Sequence, residues 1–342
     1  MNTDVKIRTE GTRTYLEGIQ PGFWEAGEMC EFASAFTCTL ACVGEDVPYH
    51  YVLGVTGVAF RFTFGAELWN PGFYGFAGVA ADVHDLVRRA FAAVGYAYRH
   101  HTPGDCREDL RRIRDSIDRS IAVMLKGHVV DASDWVLITG CEGDGDVLLG
   151  ISPYGGGERF GEHDIIREWH LKTQGHILLG EKGERPPAAD IYTDALRLAV
   201  DLVRTPQVDI RMTGLHAYAV LASALRDDEF TEDTLGWRYL CLLCYNMMLD
   251  DHRCATPFLN DAAGALPRCA AHLLEAAGHY ERSCELRNRL KGILPSNFSE
   301  EAQKRVLDAN VRDEYARVLL EIRDVEETAI SCIERALAVS HE

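Results

Sequence analysis

A mixed α+β unit followed by an all-helical one is the fold class that the 342-residue sequence predicts. Three observations carry this reading. Up to about residue 185 helix-like and strand-like segments alternate; the stretch ERPPAAD then interrupts the pattern; beyond it most apolar residues recur three or four apart. The expected division is residues 1–185 and residues 186–342.

In chain order, residues 30–43 predict the first helix, with Phe32, Phe36, Leu40 and Val43 on one apolar stripe and Gly44 as its stop. YHYVLGVTGVAFRFTFG (49–65) reads as glycine-interrupted strand, because β-branched and aromatic residues dominate it. Residues 81–98 and 109–127 predict amphipathic helices. WVLITGCEGDGDVLLGISPY places two apolar runs around a polar, glycine-rich turn, a hairpin in which Gly140 and Gly145 serve the turn. HILLGEKGE (176–184) adds a strand, and an antiparallel sheet covered by helices results. From IYTDALRLAVDLVRT onward, helical spacing persists to the C-terminus without a 34-residue tandem signature, so a solenoid is disfavoured.

A formal charge of −18 opposes a broad nucleic-acid or anionic-membrane surface, since both need concentrated positive charge. No uninterrupted apolar run is long enough to span a bilayer, and the N-terminus has no apolar signal core. With an odd count of eleven cysteines, these features predict reduced thiols in the cytoplasm.

The chemistry centres on Cys30. A cysteine in the first turn of a helix meets unpaired amides and the positive end of the helix dipole, which favour the nucleophilic thiolate; Cys38 and Cys42 lie further along and lack that advantage. The competing reading is a small buried hydrophobe. A working nucleophile needs a base and oxyanion donors. His50, His128 and His163 are the candidate bases; the first helical amides, the Trp24 indole and Gln20 are the candidate donors. Asp131 and Asp134 either orient a histidine, meet a basic substrate or form a solvated turn.

Cys30 with its helix and Gly44, the block PYHYVLGVTGVAFRF, and DWVLITGCEGDGDVLLGISPY together resemble the C39-like branch of the papain-like cysteine-peptidase superfamily. The similarity is nearest to proteins whose N-terminal domain is like that of the butirosin-biosynthesis acyltransferase, and it covers about residues 15–185. The resemblance implies a papain-like fold, acyl transfer from a carrier-protein thioester to an amine, and Cys30 as nucleophile. Two positions depart from the pattern. Asp134 stands where the family histidine begins its strand, and Trp24 stands where a glutamine precedes the nucleophile. These departures oppose ordinary peptide hydrolysis and leave His50 or His128 as the base.

Two function classes follow. The first is a cysteine-dependent acyltransferase, or an amide- or thioester-processing hydrolase, acting on a small molecule or a carrier-bound acyl group. The second is a noncatalytic papain-like binding scaffold, with the helical half forming a homo-oligomer or partner interface. The other motifs have structural readings. SPYGGGERFGEH (152–163) lacks the lysine of a phosphate loop; CLLC (241–244) has no second zinc-ligand pair; DDHR (250–253) reads as a helix-end or interdomain polar contact; Met212, Met247 and Met248 read as core or interface filler. No metal or organic cofactor is expected.

Overall fold

The computed structural model describes residues 5–23, 26–65, 68–69, 83–127, 135–143, 147–153, 158–208, 211–295, 297 and 299–339. Its strands are β1 (Lys6–Glu10), β2 (Arg13–Glu17), β3 (Thr63–Gly65), β4 (Tyr96–His101), β5 (Val123–Lys126), β6 (Trp135–Glu142), β7 (Val147–Ile151), β8 (Arg159–Phe160), β9 (His163–Arg167), β10 (Gly175–Lys182), β11 (Gln207–Val208) and β12 (Arg211–Thr213). Its α-helices are α1 (Glu31–Ala41), α2 (Tyr49–Val55), α3 (Val83–Val94), α4 (Cys106–Ile117), α5 (Trp169–Lys172), α6 (Ala188–Arg204), α7 (Gly214–Asp227), α8 (Glu232–Asp251), α9 (Ala255–Ala265), α10 (Ala270–Ile293), α11 (Glu300–Arg305) and α12 (Ala309–Val339). The chain is thus mixed α/β, with antiparallel sheets and a helical C-terminal region. It divides into two compact units, residues 1–52 with 91–185, and residues 53–90 with 186–342. The sequence division assigns residues 53–90 to the first unit, whereas the described ones among them, 53–65, 68–69 and 83–90, group with the second.

The first unit is built on a nine-stranded sheet in the order β4-β10-β5-β6-β7-β9-β8, with the β1–β2 hairpin attached through β2 to β6. Every pairing is antiparallel. Along one edge β6 pairs with β5 over Trp135–Ile138 and then with β2 over Gly140–Glu142. Gly140 therefore sits inside a strand, not in the turn: a Cβ there would overlap the Thr14 carbonyl. Helix α1 packs on β5 and β6. Phe32 stacks on Phe36, meets Trp135 edge-on, and Phe36 meets Phe91 at 4.9 Å. Of the predicted stripe, Phe32, Phe36 and Leu40 are buried, while Val43, beyond the helix end, is exposed. Gly44 adopts φ 80°, and the Glu45 amide donates to the Leu40 carbonyl, closing the helix where the sequence places its stop.

Two predicted helices prove shorter, each followed by a strand. The first ends at Val94 because Gly95 turns left-handed at φ 76°, and YAYRHH then forms the edge strand β4. In the second, Asp105 caps α4 by accepting from the Arg107 and Glu108 amides; Ser120 at φ 62° then breaks the direction, so that VMLK enters the sheet as β5 between β10 and β6. Apolar residues read as one continued helix face are in fact a central strand.

The segment 49–65 is also corrected. It forms α2, a 3₁₀ turn at Val58–Phe60 and only the three-residue strand β3. The Pro48 carbonyl accepts from the Tyr51 and Val52 amides, starting the helix. Gly54 lets the Phe258 ring lie against the backbone, where a Cβ would overlap it, and Gly57 at φ 78° ends the run. Burial has overridden β-propensity here.

In the second unit, helices surround an aromatic core in which Phe62 stacks on Tyr218 at 4.2 Å and Phe64 approaches Tyr245. The unit is not all-helical. Strands β11 and β12 form a hairpin that pairs with β3, giving a three-stranded antiparallel sheet. The two longest helices, α10 and α12, pack extensively on one another. Among the described residues, no helix is long and apolar enough to cross a membrane.

Candidate active site

Cys30 is the N-cap residue of α1, extended at φ −89° and ψ 99°, and is 2% exposed. Its carbonyl accepts the Ser34 amide, the first turn of the helix. Its own amide donates to the Tyr49 hydroxyl at 2.8 Å, so the first turn of α2 is held against the start of α1. On the other side, the Trp135 amide donates to Glu31 Oε2 at 3.2 Å, which ties the first described residue of β6 to the residue following Cys30.

The loop entering α1 is fixed from below. Ser34 Oγ accepts the Phe23 amide and donates to the Glu28 carboxylate. Phe23 is buried and held at φ 32°, a left-handed backbone costly for a bulky side chain. Such strain collects where surrounding structure must present a neighbouring segment in one geometry. Phe23 stands seven residues before Cys30.

His50 follows Tyr49 on α2, half-buried; it lies on a helix, not on the strand predicted for it. Trp24, His128, Asp131, Asp134 and Gly145 lie outside the described residues. His163 is elsewhere along the sheet. Its Nδ1 lies 2.9 Å from Thr139 Oγ1, and Thr139 is four residues, about 13 Å, along β6 from Trp135. Burial lowers the His163 pKa, and Tyr15 meets its ring edge-on. Gln20 lines a shallow depression with Thr37, Cys38 and Ala41, on turns of α1 well past Cys30. That depression offers about 20 Å³, room for a water and not for a substrate.

Burial raises the thiols of four other cysteines. None of the eleven is in a disulfide. Burial pushes the Cys38 thiol up to about 12 and raises that of Cys42. The CLLC pair behaves the same way: Cys241 and Cys244 are buried in α8 with thiols pushed up to about 12 by burial.

The DDHR segment becomes a buried ionic network within the helical unit. Asp251 pairs with Arg61 at 3.2 Å. His252 Nδ1 lies 2.8 Å from Glu326 Oε1 and its Nε2 lies 2.5 Å from the Arg61 carbonyl, so both ring nitrogens face acceptors, an arrangement that favours the protonated ring. Burial alone would lower the His252 pKa, but the Glu326 charge and these hydrogen bonds raise it. Ser283 and Tyr218 also donate to Glu326. Of the helix-end and interdomain readings of this segment, these contacts fit the first, because Arg61, Ser283 and Glu326 belong to the same unit as His252.

Sequence reasoning missed Tyr49, Glu31 and the Glu28–Ser34 support. Tyr49 stands within PYHY, next to the histidine that drew notice, but nothing in a linear pattern assigns its hydroxyl to a backbone amide nineteen residues earlier. Tyr49→Phe removes that acceptor, and its expected cost is about 1–3 kcal/mol for an unsatisfied amide, read as a lower urea midpoint. An unchanged midpoint would mean that water replaces the hydroxyl without loss.

No family model matches the chain, and no curated protein matches it.

Proposed function

We propose that the first unit is a papain-like, C39-like domain acting as a cysteine-dependent acyltransferase or amide/thioester-processing enzyme. One observation carries this reading: Cys30 caps a helix packed on the central strands of an antiparallel sheet, and the following residue is tied to the start of β6. That is where the resembling family places its nucleophile and the strand that bears its base.

In the proposed reaction the Cys30 sulfur forms a bond to the acyl carbonyl carbon as the donor's C–S bond breaks, and the donor thiolate leaves with a proton. An acceptor amine, or water, then forms its bond to that carbon as the Cys30–acyl bond breaks. The acceptor's proton passes to a histidine, for which His50 on α2 is the first candidate and His128 the second; Asp134 or Asp131 would orient the ring. Because the Cys30 amide is engaged by Tyr49, oxyanion donation falls to later amides of α1 or to the Trp24 indole. The acidic chain suits an amine-bearing acceptor, with a small-molecule thioester or a carrier protein as donor.

Intact-mass measurement after incubation with a panel of acyl thioesters is expected to show one acyl adduct on the native chain and none on Cys30→Ala. An adduct that survives in Cys30→Ala moves the role to another residue. The burial of Cys30 favours a second reading, a noncatalytic binding scaffold whose helical unit supplies a partner or homo-oligomer interface. Under that reading the native chain acquires no adduct from any donor, although denatured Cys30 alkylates normally.

A further inference from the structure

Helices α10 and α12 bring three metal-ligating side chains of different chemistry together. Glu275 and His279 lie one turn apart on α10, and Cys332 faces them from α12; a carboxylate oxygen, an imidazole nitrogen and the Cys332 sulfur all lie within 4.8 Å of one another. His272 shares this face of α10, with its Nδ1 4.0 Å from Glu275. Cys332 is buried, His279 is half-buried and Glu275 is exposed, so the cluster opens to solvent on one side.

A positive charge already occupies this cluster. Arg335, one turn after Cys332, places Nη2 2.9 Å from Glu275 Oε2 and 3.1 Å from the Cys332 sulfur. One guanidinium nitrogen thus meets two donors of the set at once. Arg335 is itself exposed and long, and it can swing into water without disturbing the helix pair.

We propose that Glu275, His279 and Cys332 form a site for a divalent transition metal of the zinc class, with Arg335 standing in for the cation when metal is absent. The donor set selects that class. Thiolate and imidazole together disfavour magnesium and calcium, which take oxygen ligands, and suit zinc. A tetrahedral zinc with bonds of about 2.0–2.3 Å has ligand-to-ligand edges of about 3.5 Å, so the donors must close by roughly 1 Å. Rotations of the Glu275 and His279 side chains accomplish this, and His272 or water completes the fourth position. On binding, the Cys332 thiol gives its proton to solvent, the sulfur–metal bond forms, and the guanidinium leaves. Because a ligating thiol must lose its proton, affinity should fall as pH falls. The bound metal would staple the two longest helices of the unit at a point the fold already brings together. This site is independent of the chemistry at Cys30.

The test is titration of the full-length, fully reduced chain with Co²⁺ as the probe, followed by displacement with Zn²⁺. A thiolate-to-cobalt charge-transfer band should saturate at one equivalent and vanish on zinc addition. Cys332→Ser should lose the band, His279→Gln should weaken binding by roughly tenfold or more, and Arg335→Gln should tighten it by roughly tenfold. His279→Gln guards against a misfolded Cys332→Ser, because the thiol is still present in it. Absence of the band from the native chain overturns the site. So does a band of unchanged affinity in both Cys332→Ser and His279→Gln, which would place the metal on other thiols. An Arg335→Gln affinity equal to the native one overturns the role of Arg335 as stand-in cation.

Discussion

Arg61→Met is expected to lower the stability of the helical unit by about 3–5 kcal/mol. Arg61 and Asp251 are 3% and 2% exposed, and their 3.2 Å contact compensates a carboxylate that has no access to water. The compensation is partial. Burial still pushes the Asp251 pKa up to about 6, and Arg61 Nε and Nη1 have no hydrogen-bond partner among the described residues. Removing Arg61 takes away the charge that most offsets the burial of the Asp251 carboxylate, so the pair costs more to break than it contributes when whole. Urea unfolding should show a large loss in Arg61→Met and a much smaller one in Arg61→Met with Asp251→Leu, where neither charge remains. Lowering the pH should also restore part of the single variant's loss, since protonated Asp251 needs no counter-charge. Equal losses in the single and double variants would place the defect in the Arg61 packing and refute the electrostatic account.

The second large effect is acid lability of the sheet unit. His176 on β10 is 1% exposed, its ring stacks on His101 of β4 at 5.0 Å, and the Nε2 atoms of both rings lack hydrogen-bond partners among the described residues. Burial, opposed by the Asp109 charge and reinforced by His101, Arg112 and His100, lowers the His176 pKa from 6.5 to about 4. Between those two values the unfolded chain binds the proton and the folded one does not. Stability is therefore complete above about pH 6.5 and is lost as pH falls toward 4, by about 3 kcal/mol in all. Asp251 acts in the opposite sense: its raised pKa makes the folded state gain stability as pH falls through about 6. The comparison that isolates His176 is urea unfolding of the native chain and His176→Leu across this range. The variant should show the shallower decline, and parallel curves would refute the assignment.

What the linear sequence reveals depends on how local the determining force is. The end of α1 was legible because a glycine with positive φ marks it, and the β6–β7 pair because two apolar runs flank a polar turn. The helical character of α6 to α12 was legible from spacing alone. Two failures share another cause. VMLK was read as helix and YHYVLGV as strand, yet in each case partners distant in sequence decide: β10 and β6 flank β5, and Phe258 fills the space that Gly54 leaves. Local propensity is weak against such burial. The N-terminal hairpin was missed because β1 is exposed throughout and lacks apolar alternation. At the candidate site, Cys30 was legible from its place at a helix start. Its partners Tyr49 and Trp135 were not, since no periodicity encodes a hydrogen bond between side chain and backbone across loops.

Residues 53–90 belong with a unit whose other part begins at residue 186, and this matters for a chain made from one end. Arg61 leaves the ribosome 190 residues before Asp251, and Phe62 and Phe64 are synthesised well before Tyr218 and Tyr245 exist to cover them. Until those residues are made this apolar stretch lacks its aromatic partners, which is a period of exposure to aggregation and to holding chaperones. A gene fragment cut after residue 185 makes that condition permanent. It would express the sheet unit's sequence together with an orphaned piece of the other unit's core. Removing Val58 to Phe64, or retaining the helices that cover them, is what would decide the solubility of such a fragment.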